Sequence, residues 1–301
     1  MKGILLINKA KEMTSHDVVA ILRRKLNIKR IGHTGTLDPM VTGVLPICIG
    51  NATRVSEYIM QQGKTYICMM KFGQATTTYD AYGEVTDSSD KVDFTKEEIL
   101  NGLKHFTGEI EQTPPIYSAI KIKGKKLYDY ARSGQSLDIP KRKVNIYSLD
   151  LLDIDGPEIS FRISCSKGTY VRSLVHELGL HLGTFAYMTD LVRTKVGRFE
   201  LDACIDINKI DDYSLEDIEK SLISIENSLY NLGRVEISDP VASRLINGQK
   251  LNLKTLNFRI TNNNIGTLDE DNLMVFVMGD FLGIGKLSNN IIKMERVLKS
   301  D

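Results

Sequence analysis

The alternation of apolar and polar residues along the chain predicts where its strands lie. Residues 64–73 carry large apolar side chains at every second position, at Tyr66, Cys68, Met70 and Phe72. Residues 158–165 repeat the pattern with Ile159, Phe161, Ile163 and Cys165. A period of two is typical of a strand that buries one face. We therefore predict a strand in each segment, the second antiparallel and half-exposed.

Apolar residues spaced three and four apart predict three helices. Thr14 and Asp17 have the spacing of a capping box and precede the stripe Val18, Val19, Leu22 and Leu26. Thr95 and Glu98 form a second capping box, before a helix whose expected buried side is Leu100, Leu103 and Phe106. The turn at residues 166–169 leads into a third helix, with the stripe Val171, Leu174, Val175, Leu178 and Leu182.

The pattern changes after an acidic, helical segment at residues 206–230. Short strand signals follow at 235–237, 273–278, 281–287 and 291–298, separated by Gly279, Gly283 and Gly285. Such spacing is typical of a small β-barrel-like module. We predict an α+β fold with a mixed or antiparallel central sheet flanked by helices in residues 1–230, and a second domain in residues 231–301.

The composition narrows the class of protein. The 301 residues are 42% apolar and 26% charged, which is ordinary for a soluble globular protein. No apolar run approaches the ~20 residues that a membrane helix needs, and the first run is too short for a signal peptide. The cysteines Cys48, Cys68, Cys165 and Cys204 lack metal-ligand spacing. We expect a cytoplasmic protein with free thiols and no metal.

The net charge of +1 hides a segregation of charges. Residues 121–143 contain eight lysines and arginines against two aspartates, and residues 23–30 contain five more basic residues. Acidic residues collect in the 206–230 segment. A charge run is usually a solvated face, but two basic runs away from the acid favour a phosphate-binding surface. Because glycines and a proline interrupt it, we expect the basic segment, about 112–143, to be an insertion that is mobile without a ligand.

Residues 32–39, Gly-His-Thr-Gly-Thr-Leu-Asp-Pro, are the most informative segment for chemistry. Gly32 and Gly35 permit unusual backbone angles and close approach of a ligand. Pro39 keeps Asp38 out of the helical region, so this carboxylate stands on a turn. An Asp-Pro pair by itself is typical of an ordinary turn. The complete string favours a reacting carboxylate instead, because it resembles the motif of a known family.

That string resembles the active-site motif of the TruB family of tRNA pseudouridine synthases. Four further strings match the family in the same order: Lys64-Thr65-Tyr66, residues 113–121 (TPPIYSAIK), residues 165–172 (CSKGTYVR) and Leu191-x-Arg193-Thr194. The C-terminal module resembles a PUA domain. Five strings in order make coincidence very improbable. One departure is Lys9-Ala10-Lys11-Glu12, where the family has a Lys-Pro-x-Gly pattern.

The resemblance implies a pseudouridine synthase fold and cofactor-free isomerisation of uridine 55 in the T-loop of tRNA, with the base flipped into the pocket. It makes Asp38 the catalytic carboxylate, Arg172 its ionic partner and Tyr66 the active-site tyrosine. Residues expected against the RNA or the target base are His33, Tyr170, Leu191, Lys9 and Lys121. Covalent attack by the carboxylate and elimination through a glycal both remain open. We expect the T arm of tRNA as partner, no membrane, no obligatory protein partner, and a monomer.

Pattern alone assigns several of these residues structural roles. Tyr66 shares a strand face with Cys68 and therefore fits an ordinary core. Arg172 lies about 100° round its helix from Val171, at the edge of the apolar stripe, where it could reach a cleft or the surface. His33 fits a neutral turn histidine, and Leu191 fits the core as well as a pocket wall.

Two other functions remain open from the sequence. A non-catalytic RNA-binding or tRNA-folding protein could use the same basic surfaces, although Asp38 would then weaken its affinity for an anionic ligand. A synthase acting on another RNA, like the guide-dependent enzymes of the dyskerin type, would carry additional segments for protein partners, and none is identifiable. A nucleotide-binding loop at residues 32–35 is disfavoured because no Gly-Lys-Ser/Thr ending follows.

Replacing Lys123, Lys125 and Lys126 with alanine should weaken tRNA binding and flatten its salt dependence. Each lost phosphate contact lowers the slope of log K against log salt by about 0.7–0.9, because fewer counterions are released. Affinity for an unmodified tRNA transcript, measured from about 50 to 200 mM salt, tests this. The uridine that is modified should not change. An unaltered slope, or strong hydrogen-exchange protection of residues 121–143 without RNA, would contradict the insertion's expected role.

Overall fold

The computed structural model contains one large mixed sheet covered by helices and a second, six-stranded sheet near the C-terminus. The predicted α+β class, with a central sheet flanked by helices, is confirmed. The structure describes residues 1–118, 121, 122, 124–127, 130, 139–261 and 272–298.

Fourteen strands are described up to residue 206: β1 (Gly3–Lys9), β2 (Ile31–His33), β3 (Thr42–Ile49), β4 (Lys64–Phe72), β5 (Gln74–Thr76), β6 (Val85–Ser88), β7 (Gly108–Gln112), β8 (Lys121–Ile122), β9 (Lys125–Lys126), β10 (Arg142–Asp155), β11 (Glu158–Cys165), β12 (Ala186–Val196), β13 (Phe199–Glu200) and β14 (Ile205–Asp206). The large sheet has the order β14-β1-β3-β12-β4-β11-β10-β7, with β2 paired to β3 and β13 to β12. Strands β5–β6 and β8–β9 form two small antiparallel pairs. The strands predicted from alternation, β4 and β11, lie side by side and antiparallel.

The described helices are α1 (Ser15–Leu26), α2 (Ser56–Met60), α3 (Lys96–His105), α4 (Val171–His181), α5 (Leu215–Lys220), α6 (Ile225–Ser228) and α7 (Ala242–Ile246). Both predicted capping boxes are present, at the starts of α1 and α3. The apolar sides of α1, α3 and α4 share one core with the central strands. None of the helices among the described residues is long and apolar enough to span a membrane.

The expected buried side of α3 is wrong in one position. Leu100 is 43% exposed, whereas Ile99 is buried together with Leu103 and Phe106. Positions 99, 103 and 106 follow the i, i+4, i+7 spacing of one helix face, and Leu100 lies about 100° further round. The acidic segment 206–230 contains three short helical elements, a 3-10 helix at Ile207–Asp212 and the helices α5 and α6.

The C-terminal sheet consists of β15 (Gly233–Ile237), β16 (Leu251–Asn252), β17 (Phe258–Thr261), β18 (Asn272–Val277), β19 (Asp280–Ser288) and β20 (Ile291–Val297). Their order is β16-β20-β19-β18-β15-β17, so the predicted C-terminal β module is confirmed. Four of its buried residues, Met274, Phe276, Ile284 and Leu298, form one apolar cluster with Val55, Tyr58, Leu229 and Leu232. This module therefore packs directly against the region of α2.

The predicted basic insertion begins where β7 ends and closes at the start of β10. Its described part includes the β8–β9 hairpin and Leu127, which is buried. Lys123, Asp129, Arg132, Gly134 and Asp138 lie outside the described residues, as do the side chains of Lys121, Lys125 and Lys126. The mobility expected for the insertion therefore stays a prediction.

The loop that departs from the Lys-Pro-x-Gly pattern carries backbone strain. Glu12, where the pattern has glycine, has a φ of 62°, in the left-handed region that side-chain-bearing residues avoid. Its N–H nevertheless donates to the carbonyl of Pro39 at 2.9 Å. That hydrogen bond ties the loop to the turn of Asp38, and it keeps Glu12 in this conformation.

Substituting Glu12→Gly should raise the free energy of unfolding by about 0.5–1 kcal/mol. Relief of the left-handed conformation is worth about 1–2 kcal/mol, and the greater chain entropy of glycine takes back part of that gain. Chemical denaturation of the purified variants measures the change. Glu12→Ala is the matched control, since it removes the carboxylate but keeps Cβ, and it should show no such gain. Equal stabilities of the glycine and alanine variants would contradict this account.

Candidate active site

A cleft of about 680 Å3 brings together most of the residues predicted to act. It is lined by the motif loop after β2, by α2, by β4 and β12, and by the turn that leads into α4. Five predicted site residues share it: Asp38, Tyr66, Tyr170, Arg172 and Leu191. They come from positions far apart in the sequence, and the central strands together with α4 bring them to one place.

An ion pair joins Asp38 to Arg172. The Asp38 Oδ2 and Arg172 Nη2 atoms are 2.9 Å apart, within the range of a charge-assisted hydrogen bond. The side chain of Asp38 is 42% exposed, whereas that of Arg172 is only 7% exposed. The carboxylate thus faces the cleft while a buried cation holds it from behind. The expected contact between these residues is present, although their catalytic roles stay a prediction.

A second carboxylate, Asp80, holds the other side of the same guanidinium. Its Oδ2 lies 3.2 Å from Arg172 Nη1, and its side chain is 6% exposed. The other oxygen, Oδ1, accepts from the Thr78 hydroxyl at 2.6 Å and the Tyr82 N–H at 3.1 Å. Arg172 also donates to the carbonyls of Thr78 and Tyr117, both at 3.1 Å. The buried guanidinium is therefore compensated by two carboxylates and two carbonyls.

The start of α4 aims Arg172 into the cleft. A side-chain amide, that of Gln112 at the end of β7, brackets Tyr170 by donating to its carbonyl at 3.2 Å and accepting from its N–H at 3.1 Å. Ser173 donates to the carbonyl of Thr113 at 2.9 Å. Arg172 lies in the first turn of this 11-residue helix, whose positive end also favours the nearby anion of Asp38.

Tyr66 and Arg193 form the floor of the cleft. Tyr66 is buried, and the guanidinium of Arg193 lies close enough to influence its phenol. Burial raises the pKa of the Tyr66 phenol, while the Arg193 cation opposes that rise. Arg193, itself fully buried, also donates to the carbonyl of Val44 at 2.7 Å and to that of Gly35 at 3.3 Å. Burial accordingly lowers the pKa of Arg193.

The backbone of β3 passes too close to Arg193 for a side chain at Gly43. A Cβ there would meet the Arg193 carbonyl oxygen at 2.2 Å, and Gly43 has a φ of 106°. Only glycine permits this close approach of the β3 and β12 backbones.

Lys9, which was expected to contact RNA, is not exposed at the surface of the protein. It is fully buried, and its ammonium donates to the carbonyls of Ala10 and Met13 at 2.8 Å and of Pro39 at 3.2 Å. Burial lowers its pKa to about 8, against the opposing influence of Asp38. The three carbonyls leave this lysine holding the N-terminal loop to the Asp38-Pro39 turn rather than contacting a ligand.

His33 lies at the motif loop as a neutral ring. Burial, with smaller effects of His16 and Arg193, lowers its pKa to about 4. The ring meets His16 edge-on, with centroids 5.0 Å apart. Any contact of His33 with RNA at neutral pH is therefore stacking or a neutral hydrogen bond, and not an ion pair with phosphate.

The cleft is rich in positive charge. Its cationic lining residues are Lys64, Arg142, Lys143, Lys167, Arg172 and Arg193, against the acidic Asp38 and Glu57. This excess favours an anionic ligand. The basic run 23–30 contributes less than expected, because Arg23 donates to the Ile31 carbonyl and Lys25 lies 3.9 Å from Asp211 of the acidic segment.

Sequence analysis missed the roles of Asp80 and Arg193. Local signals existed, since Thr78-x-Asp80 is a turn-forming spacing and Arg193 interrupts an apolar strand. Neither signal identifies a partner, because Asp80 contacts a residue 92 positions away. Arg193 likewise donates to the carbonyls of Gly35 and Val44, which are far from it in the sequence. The side chain of Lys121 lies outside the described residues, so its expected contact with RNA stays a prediction. Among the described residues, no cluster of three or more His, Cys, Asp or Glu side chains could hold a metal.

Comparison with protein families finds two consecutive matches. The family model described as "TruB family pseudouridylate synthase (N terminal domain)" matches residues 23–171. The model described as "tRNA pseudouridylate synthase B C-terminal domain" matches residues 172–230. The two abut in the first turn of α4, so the matched region includes Asp38, Asp80 and Arg172.

Curated relatives and solved structures agree with these matches. The tRNA pseudouridine synthase B of Geobacillus thermodenitrificans is 48% identical over 84% of this chain and 86% of its own length. That of Clostridium tetani is 40% identical over 99% of this chain and 100% of its own length. The structure described as "Crystal Structure of a Cbf5-Nop10-Gar1 Complex" has a TM-score of 0.76 and 27% identity, covering 99% of this chain and 85% of that one. "Structure of H/ACA RNP bound to a substrate RNA containing 2'-deoxyuridine" gives 0.75 and 25%, with the same coverage.

The two carboxylates beside Arg172 should differ in their contribution to stability. Asp80→Asn removes a buried charge partner and should lower the free energy of unfolding by about 1–3 kcal/mol. Asp38→Asn removes a carboxylate that is 42% exposed and screened by solvent, and should cost less than about 1 kcal/mol. Denaturant unfolding of the two isosteric variants makes the comparison. Equal losses would mean that Asp80 does not compensate the buried guanidinium more strongly than Asp38 does.

Proposed function

The chain belongs to the TruB family of pseudouridylate synthases, and from this we propose that it converts uridine 55 in the T-loop of tRNA to pseudouridine. As a member of this family it is an isomerase whose substrate is a uridine in tRNA. The position in the T-loop, the part played by Asp38 and the flipping of the base are the proposal's own content. The observation that carries it is the exposed Asp38 carboxylate, held by buried Arg172 in a cationic cleft.

The reaction requires one bond to be exchanged for another within the nucleotide. The bond from C1′ to N1 breaks, the uracil turns while it is held in the cleft, and a bond from C1′ to C5 forms. The proton leaves C5, and N1 is protonated. Asp38 serves this exchange in one of two ways. It attacks C1′ as a nucleophile, or it removes the proton on C2′ to give a glycal. In either case Arg172 orients the carboxylate before the substrate arrives.

The uracil must leave its stack in the RNA to reach Asp38. Extrusion costs a few kcal/mol, and stacking on an aromatic side chain returns about 1–3 kcal/mol per base. Tyr66, Tyr170 and Leu191 line the cleft and supply the aromatic and apolar walls for the extruded base. The cations around them attract the flanking phosphates, which offsets the rest of the cost.

We assign catalysis to residues 1–230 and RNA docking to the PUA-like residues 231–301. The C-terminal sheet packs next to α2, whose Glu57 and Met60 line the cleft. Arg296 of β20 lies 2.8 Å from Glu57, and Arg54 donates to the carbonyl of Val297 at 2.7 Å. A module held there lies beside an RNA whose T-loop enters the cleft. We further propose that the protein acts in the cytoplasm as a monomer, without an obligatory protein partner.

Asp38→Asn should abolish pseudouridine formation and leave tRNA affinity within about threefold of wild type. The substitution keeps the shape of the side chain and removes the reacting carboxylate. The test combines single-turnover assays on an unmodified tRNA transcript with chemical mapping of pseudouridine. Substantial turnover by the purified variant would contradict the role of Asp38.

Two controls separate the parts of this proposal. Glu216→Gln changes an exposed carboxylate that pairs with Lys220 on α5, and it should retain the wild-type rate. A transcript with cytidine at position 55 should acquire no pseudouridine. Modification of that transcript at another uridine would leave the family assignment intact but would refute the proposed position.

A further inference from the structure

An aromatic stack lies behind the ion pairs of the cleft. Tyr79, in the loop between β5 and β6, stacks on His176 of α4, with ring centroids 4.0 Å apart and ring planes inclined by 13°. Both side chains are half-buried. Neither residue lines the cleft, so the stack is not itself a binding surface for substrate.

The stack connects the same two elements as the ion pair between Asp80 and Arg172. Tyr79 is the residue immediately before Asp80, and His176 follows Arg172 by four positions, one helical turn along the same face of α4. Among the described residues, the polar and ring contacts between this loop and α4 are the bonds of Arg172 to Asp80 and Thr78 and the Tyr79–His176 stack. Without the stack, the hydrogen bonds of the Arg172 side chain would be the remaining polar link between this loop and α4.

Both rings are uncharged at neutral pH. Burial lowers the pKa of His176 and raises that of Tyr79. The Nδ1 atom of His176 is buried without a hydrogen-bond partner among the described residues. The contact is therefore a stack of two neutral rings, and it depends on ring shape rather than on a hydrogen bond or an ion pair.

The backbone at Tyr79 is held in an unfavourable conformation. Its φ is 62°, which asparagine and glycine adopt far more readily than tyrosine. The Tyr79 carbonyl accepts from the Met188 N–H of β12, and the Ala81 N–H donates to the Met188 carbonyl, both at 3.0 Å. Strained residues persist where the surroundings determine their conformation. Here β12 and His176 determine it, directly beside Asp80.

We propose that Tyr79 and His176 are positioning residues for the reaction. Their stack fixes the Asp80 loop on α4, so that the Arg172 guanidinium, held between Asp80 and Asp38, aims the Asp38 carboxylate at the substrate. This inference rests on the proposed function. A misplacement of about 1 Å at a reacting group can lower a rate about 100-fold, so loss of the stack should slow the chemical step without weakening tRNA binding.

Substitutions that separate ring shape from chemistry test the proposal. Tyr79→Phe and His176→Phe keep a ring, and both should remain within about threefold of the wild-type single-turnover rate. Tyr79→Asn tolerates the left-handed backbone but has no ring, and His176→Ala also has none. These two should be slower by about 10- to 100-fold at saturating enzyme, with tRNA affinity within about threefold. The double variant Tyr79→Asn/His176→Ala should be no slower than the slower single one, because the two rings act as one unit.

Each of the following results would overturn the proposed role of the stack. A wild-type rate in Tyr79→Asn, an equal loss in Tyr79→Phe, or multiplied losses in the double variant would overturn the proposal. Melting of both ringless variants below the assay temperature would also overturn it, by making the stack a folding element. Failure of the wild-type protein to modify uridine 55 refutes the proposed function, whereas a fully active Tyr79→Asn refutes only the role of the stack.

Discussion

A buried guanidinium sets the arrangement of this site. A cation removed from water must be compensated by opposite charge and by hydrogen-bond acceptors, or the fold loses several kcal/mol. Arg172 is compensated by Asp80 and by the carbonyls of Thr78 and Tyr117, which brings two separate segments onto the start of α4. With Asp80 as a buried partner on Nη1, the Nη2 group is directed at Asp38. The Asp38 carboxylate is thereby oriented while it stays open to the cleft.

The same principle operates beneath the cleft with two further cations. Arg193 donates to the carbonyls of Gly35 and Val44, and Lys9 donates to that of Pro39. Both therefore hold the backbone on either side of Asp38. The motif loop contains glycines and a proline and has little regular structure of its own, so these buried cations give it a fixed shape. Surrounding cations also matter for the proposed function, since a carboxylate in a cleft that receives RNA repels phosphate unless positive charge surrounds it.

Local patterns in the sequence predicted what depends on local physics. The capping boxes of α1 and α3, the alternation of β4 and β11, and the position of Arg172 at the edge of an apolar stripe follow from neighbouring residues. The features that the sequence did not predict depend on residues that are distant in the chain. The family resemblance implied that Lys9 contacts RNA, yet it is buried against the carbonyls of Ala10, Met13 and Pro39, the last of which is 30 residues away. Asp80 was not identified, because nothing near it in the sequence indicates that its partner is Arg172.

Two of the six described non-glycine residues with a positive φ lie next to the site. Glu12 and Tyr79 both have left-handed backbones without being glycine, and one is bonded to Pro39 while the other precedes Asp80. Each flanks one of the two carboxylates that Arg172 joins. A fold tolerates strained residues where several neighbouring contacts fix the backbone conformation. A backbone fixed in this way has few alternative conformations. The ordering of Asp38 and Arg172 is therefore completed on folding. In the proposed reaction, binding energy from the RNA therefore remains available for extruding the base and is not needed to order Asp38 and Arg172.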